Sequence, residues 1–300
     1  MITETSILRE SFGMLEMSDE SENSPFLEAT QHTFPISDSI SLKVYSNTNP
    51  QNMKIAGLQK GLVLLCDGTD VIGEGTGFGV PIAKYSDETV FSGSSSLYVR
   101  RRGNSVEIRK EFLMDLVTRD RFRNLKLKIP GIRTLSDFFC VQYQRHKRLV
   151  RPVLIVRSLF LKFGIKSSFQ KRPHKGTVIV TYVMKKNRIH VKLNFSNLEQ
   201  TDLGKVFILN EQGAHFFRTY SDSEGLRLVD EEIGAWDNVT AQSAKIANEQ
   251  NKIGFSLKSL EGSMLKRGRE MMEGSLNWIG LDYELEPENG HFEYEIELFG

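Results

Sequence analysis

Apolar and polar residues alternate along much of this chain with a period of two, the signature of strands with one buried face. Ile40-Ser-Leu-Lys-Val-Tyr45 alternates in this way. Leu62 to Leu65 is a short apolar run closed by the turn signal Asp67-Gly-Thr-Asp70. Tyr98 to Arg109 reads as a hairpin turning at Gly103-Asn104. The clearest hairpin runs from Thr177 to Phe195. Its first arm, Thr177 to Met184, is rich in β-branched residues, and Lys185 to Arg188 makes the turn. In its second arm Ile189, Val191, Leu193 and Phe195 share one face, opposite His190, Lys192 and Asn194. Lys205 to Asn210 predicts another strand, and Ser221 to Gly225 a turn after Arg218. The closing run His291 to Phe299 places Phe292, Tyr294, Ile296 and Leu298 on one face and three glutamates on the other.

Helical signals are few. Ala241 to Asn251 predicts one or two turns, and Leu260 to Glu273 another, weakened by Gly262 and Gly268. Arg145 to Phe163 fits either basic strands or a helix interrupted at Pro152. The expected fold is an all-β protein: a large antiparallel β-sandwich with few short helices. Residues 39–300 would form a single domain, after a polar, flexible or strand-swapped lead-in over 1–38.

Composition agrees with a packed protein. With 39% hydrophobic and 26% charged residues, a chain of 300 residues can bury a sizeable core. No stretch reaches about 18 uncharged apolar residues, so no membrane helix is expected. The polar, acidic start lacks the pattern of a secretory signal, and the simplest reading is cytoplasmic. Two cysteines, Cys66 and Cys140, cannot make a disulfide framework, and Cys66 reads as a buried free thiol.

Charge changes the picture more. The net charge is +1, yet Arg100 to Lys192 holds 25 Lys/Arg and five acids, a local +20 that leaves −19 for the rest. Either basic strands pair with acidic strands from the ends of the chain, or a basic surface attracts an anion.

Three constellations could carry chemistry. Gly73-Glu-Gly-Thr-Gly-Phe-Gly79 lacks the Lys-Ser/Thr of a phosphate loop and the spacing of a dinucleotide fingerprint. Its alternate glycines predict a strand with one bare face, meeting another backbone or a ligand, and Glu74, Thr76 and Phe78 on the other. Asn210, Glu211, Gln212 and His215 gather carboxylate, amide and imidazole near a strand end, which suits sugar hydroxyls or proton transfer. His215 beside Phe216 and Phe217 also suits a packed histidine. Trp236-Asp237-Asn238 and Asn277-Trp278 set the only two tryptophans beside polar groups, the way proteins grip a sugar ring, or anchor two loops in a core. Arg101, within Arg100-Arg101-Arg102, is a candidate contact for an anion. No histidine pairing suggests a metal, no cofactor motif is present, and no serine nucleophile motif occurs.

The hairpin over Val178 to Phe195, the strands from Lys205, the loop carrying Trp236 and the closing run 291–299 resemble the galactose-mutarotase-like supersandwich. That fold serves aldose epimerases and accessory domains of polysaccharide lyases and glycoside hydrolases. The resemblance implies a histidine acid and a glutamate base in a concave sheet, with His215 and either Glu211 or Glu284 as the nearest candidates. The expected function is binding or modifying a carbohydrate, an anionic one given the basic segment. The alternative is a non-catalytic module whose basic face docks nucleic acid or an acidic partner.

Overall fold

The computed structural model describes residues 25–47, 58–86, 88–102, 105–120, 167–272 and 276–300. Among these residues twenty strands are formed: β1 (Leu27–Glu28), β2 (Gln31–Pro35), β3 (Ile40–Tyr45), β4 (Val63–Cys66), β5 (Thr69–Asp70), β6 (Gly77–Tyr85), β7 (Thr89–Arg102), β8 (Ser105–Asp120), β9 (Ser167–Lys171), β10 (Thr177–Lys185), β11 (Arg188–Asn194), β12 (Leu203–Gln212), β13 (Thr219–Asp222), β14 (Arg227–Val229), β15 (Asp237–Asn238), β16 (Ser243–Asn248), β17 (Ile253–Lys258), β18 (Ser263–Met272), β19 (Leu276–Leu285) and β20 (His291–Phe299). A large sheet runs β14-β13-β16-β17-β20-β11-β10-β8-β7-β6-β12-β19-β18-β15, with β1 added to β7 and β9 to β8. A second sheet has the order β2-β3-β4-β5. Every pairing between these strands is antiparallel.

The large sheet folds over on itself. Phe78 of β6 meets Phe255 of β17 with ring centroids 5.0 Å apart, and Tyr283 of β19 meets Tyr294 of β20 at the same separation. Strands distant in the sheet order thus share one core, and the fold is an all-β antiparallel sandwich.

The alternating runs form as their pattern dictates. In β10, Val178, Val180, Tyr182 and Met184 are buried; in β11, Ile189, Val191 and Leu193 are, followed by Phe195. Each such side chain contributes about 1.5–3 kcal/mol by leaving water. A two-residue turn joins the arms, with Lys186 at φ 52. β20 pairs with β11 and buries Tyr294, Ile296 and Leu298. On its outer side basic residues meet acidic ones. Arg188 lies 3.5 Å from both Glu295 and Glu297, and Glu293 takes His190 at 3.1 Å and Lys192 at 3.6 Å. The cross-strand account of the charge asymmetry holds along this pair.

Two expected helices are strands instead. Leu260 to Glu273 contains β18, and Ala241 to Asn251 contains β16. Among the described residues helical structure is limited to 3-10 turns at Asp230–Ile233 and Pro287–Asn289. β18 hides its period because two inward positions next to Leu265 are Arg267 and Arg269, and Gly268 is a strand residue. β16 hides its own because Ala and Lys favour helices, while Ala244 and Ile246 are the buried pair. Of the lead-in, residues 25–38 carry β1 and β2, with Ala29 and Phe34 packed on the core. The ambiguous segment Arg145 to Phe163 and Cys140 lie outside the described residues. Cys66 is a buried free thiol.

Candidate functional site

β12, β19, β18 and β15 lie side by side, and their register defines what shares a face. Leu265, Ile279, Leu281 and Tyr283 turn into the core. The alternate positions, Trp278, Gly280, Asp282 and Glu284, therefore stand on the outer face. Glu211 pairs with Gly280, which pairs with Gly268 on its other side. A Cβ on Gly280 would lie 3.0 Å from Glu211 Cγ, and one on Gly268 would lie 2.7 Å from the Trp278 ring. The two glycines thus let the Glu211 side chain and the Trp278 indole lie flat on the sheet.

A cluster of three rings completes this face. Trp236 lies 6.0 Å from Phe207 and 6.0 Å from Trp278, centroid to centroid. Phe207 pairs with Glu284, so the Trp236 ring reaches across the strip that holds Gly280 and Asp282. Trp278 is buried, whereas Trp236 is 38% exposed and sits on a left-handed backbone at φ 60.

Beneath these rings two carboxyls are taken out of water. Glu211 is 5% exposed and Asp282 1%. Asp282 Oδ1 accepts the Asn210 N–H at 2.7 Å, at a gap in the ladder between Ile208↔Tyr283 and Glu211↔Gly280. Glu211 Oε2 accepts from Thr76 N at 3.2 Å and Thr76 Oγ1 at 3.0 Å. Burial pushes the Glu211 carboxyl up to about 7; the Thr76 bonds oppose this and the charge of Glu270 adds to it. Asp282 is raised well above the carboxylate range by burial and then by the charge of Glu211. The pair can hold and release a proton near neutrality, which ordinary carboxylates cannot do.

His215 lies just beyond the end of β12 and is exposed. Asn277 clamps it: Asn277 Oδ1 accepts the His215 N–H at 2.8 Å, and Asn277 Nδ2 is 3.0 Å from His215 Nδ1. With the amide oxygen taken by a backbone donor, the amide nitrogen must donate, so Nδ1 accepts and the proton of the neutral ring sits on Nε2. The Glu74 N–H donates to the Asn277 carbonyl at 3.0 Å, which brings the glycine-rich loop to the same corner. Those glycines meet protein. A Cβ at Gly75 would lie 3.0 Å from the Glu211 carbonyl, and one at Gly77 2.7 Å from the Leu62 carbonyl. Gly73 to Thr76 precede β6 rather than extending it.

The other sequence candidates take different parts. Glu284 Oε1 pairs with Lys205 Nζ, and its Oε2 lies 2.8 Å from Lys266 Nζ. Burial raises this carboxyl, but the two lysines outweigh it and hold it below the usual range, so it stays ionised. Asn210 is a core connector, its Oδ1 accepting from Gly79 N at 3.1 Å and Tyr294 Oη at 2.6 Å. Gln212 is buried and accepts the Leu64 N–H at 3.4 Å. Asp237 lies 3.5 Å from Arg267. Arg101 stands at the far end of β7, whose opposite end pairs with β6, so the register keeps it from the carboxyl pair. Of the residues named from sequence in separate constellations, the structure brings Glu211, Trp236, Trp278, His215 and Asn277 to one region. The sequence reading misses Asp282, Glu270 and Phe207, and names Thr76 only within the glycine-rich run. Asp282 does fall in the same alternation as Trp278 and Glu284, which was the available signal.

One more buried charge lies elsewhere. Lys110 faces the core from β8 between Ile108 and Phe112, opposite Leu97 and Val180. Its Nζ donates to the carbonyls of Tyr45 and Lys60, each at 2.6 Å. Burial lowers its ammonium to about 7.

Among the described residues no three metal-ligating side chains gather, and no helix is long and apolar enough to cross a membrane. No known family model matches the chain, and no curated protein is significantly similar to it.

Proposed function

We propose that this protein binds a carbohydrate and acts on it by acid–base chemistry at Glu211 and Asp282. The observation that carries this reading is the buried carboxyl pair beneath a half-exposed tryptophan. A sugar ring packs its C–H face on an indole and turns its hydroxyls sideways. Trp236 offers that surface, and Glu211, poised near neutrality, is the group that gives and takes a proton. Asp282, its carboxyl raised by burial and by the charge of Glu211, stands beside it. The Asn277-clamped His215 at the neighbouring corner offers Nε2–H to a hydroxyl. The strand succession that resembles galactose-mutarotase-like sandwiches agrees with this assignment, although Glu284, whose oxygens are engaged by two lysines that weaken it as a base, is then not the general base.

The ligand favoured is a neutral sugar. Glu211, Asp282, Glu270 and Glu284 share the outer face with Lys205 and Lys266, and both lysines are spent on Glu284. With both lysines paired, an anionic sugar would lie beside carboxyls rather than beside a free cation.

Thermal denaturation against a panel of neutral and anionic sugars tests the proposal. A bound sugar at one hundred times its Kd would add about 2.7 kcal/mol of stability. The expected result is a rise in Tm with a neutral sugar that Trp236→Ala abolishes, and conversion of that sugar that Glu211→Gln abolishes. Absence of any shift across the panel at millimolar sugar would remove the proposal.

A further inference from the structure

Trp236 reaches the outer face through a loop that hooks round the edge of the sheet. Ile233, at the start of the loop, is buried in the core. Asp237 and Asn238, at its end, pair as β15 with Arg267 and Lys266 of β18. In between, the Arg269 N–H donates to the Gly234 carbonyl at 2.9 Å. The chain then crosses β18 at Gly268, where a Cβ would lie 3.2 Å from Trp236 N. Trp236 itself takes a left-handed backbone at φ 60, which a side chain as bulky as indole adopts only where its surroundings impose it.

Arg267 supplies much of that constraint. It faces the core side of β18, opposite Trp236, and its side chain is 15% exposed. Its guanidinium rests on the Tyr220 ring, 5.1 Å from the centroid. Nε donates to the Ile233 carbonyl at 3.0 Å, and Nη1 to the Asn238 carbonyl at 3.4 Å. Nη2 lies 3.5 Å from Asp237 Oδ2. One planar fork thus holds the loop on both sides of Trp236. An ammonium is a point charge on a flexible stem and cannot span these acceptors together. A Cβ at Gly234 would lie 2.2 Å from the same Asp237 oxygen, so the loop closes tightly on the carboxylate that Arg267 engages.

We propose that Arg267 is the positioning residue for Trp236, holding the indole over the Glu211–Asp282 pair from the opposite side of the sheet. It acts through the loop and touches neither carboxyl. Its bearing on sugar affinity rests on the reading of Trp236 as a sugar platform; the placement of the indole does not.

The two tryptophans of the chain make that placement measurable. Their rings lie 6.0 Å apart and tilted by 56°, so their absorption bands couple in circular dichroism. Trp236→Phe identifies the coupled signal by removing it. Arg267→Lys keeps the charge and loses the fork, and the coupled signal should fall by about half or more. Acrylamide quenching of Trp236 in a Trp278→Phe background should rise with the same substitution. Affinity for whichever of glucose, galactose and mannose raises the wild-type Tm should fall about tenfold, the scale of one aromatic contact. An arginine that served stability through its charge alone would be replaced by lysine without change. A coupled signal and quenching that stay at wild-type values in folded Arg267→Lys would therefore overturn the proposal. If that variant does not fold, Asp237→Ala removes one anchor at a side chain 28% exposed and is read by the same two signals. A wild type that binds none of the three sugars, with the coupled signal still lost in Arg267→Lys, would remove the sugar reading and support Arg267 as the residue that places Trp236.

Discussion

Lys110 and Glu211 are both ionisable, both buried and both shifted to about 7, yet their surroundings differ. Burial is the one cause that lowers Lys110, and its ammonium is held by two main-chain carbonyls among apolar side chains. Those carbonyls, at Tyr45 and Lys60, flank the connection between β3 and β4, so Lys110 ties the small sheet to β8. Glu211 has a second acid whose charge it perturbs, a third in Glu270, and an exposed aromatic ring across the same face. A lone buried charge with its protons committed to the main chain does structural work. A pair of like charges beneath an accessible ring keeps a proton exchangeable. The pKa alone does not separate the two cases; the neighbours do.

The largest expected effect breaks the structural half of this contrast. Lys110→Ala leaves a cavity and orphans two carbonyls, and should cost about 3–5 kcal/mol in urea unfolding. A loss below about 1 kcal/mol would show that the staple is not needed.

Next comes pH, where the two groups act with opposite sign. The Glu211 carboxyl is raised in the folded state, so folding binds a proton between its ordinary value near 4.5 and about 7. Its contribution is present below that window and is lost as pH rises through it, by an amount on the order of 3 kcal/mol. Lys110 is lowered, so the unfolded chain holds the extra proton between about 7 and 10.5. Stability from this group is full above that window and is lost as pH falls through it, again by several kcal/mol. Urea midpoints of wild type, Glu211→Gln and Lys110→Met against pH separate the two. Glu211→Gln should flatten the limb below 7, and Lys110→Met the limb above it. If either variant keeps the wild-type profile in its own window, the corresponding shift is absent.

The smallest effect concerns Lys205. Its side chain is 41% exposed, and its pair with Glu284 is backed by Lys266. Lys205→Ala should cost less than about 1 kcal/mol, as exposed ion pairs do. A larger loss would place Glu284 alongside Glu211 as a group whose burial matters.

Much of the fold was legible because period two is unmistakable where every inward position is apolar, as in β10, β11 and β20. It failed in β18, where arginines at positions 267 and 269 break the apolar series and a helix fits as well. The candidate site was half legible. Glu211, Trp236, Trp278 and Asn277 announce themselves as chemistry-bearing types next to one another. Asp282 and Phe207 do not, because what joins them to Glu211 is the register of β12 on β19, strands about 70 residues apart in the chain. Register follows from packing, and no local pattern encodes it. The glycines of 73–79 show the same limit: their spacing suggests a bare face that meets another backbone or a ligand, and only the fold decides between the two, filling it with protein.

The central claim is the coupling of Glu211 and Asp282, and carboxyl carbon NMR tests it most directly. In wild type Glu211 should titrate near 7 and Asp282 well above an ordinary aspartate, in two linked steps that belong to the pair. In Glu211→Gln one step should remain, with Asp282 lower than in wild type yet still above an ordinary aspartate because it stays buried. Two carboxyls titrating independently near pH 4 would contradict the account.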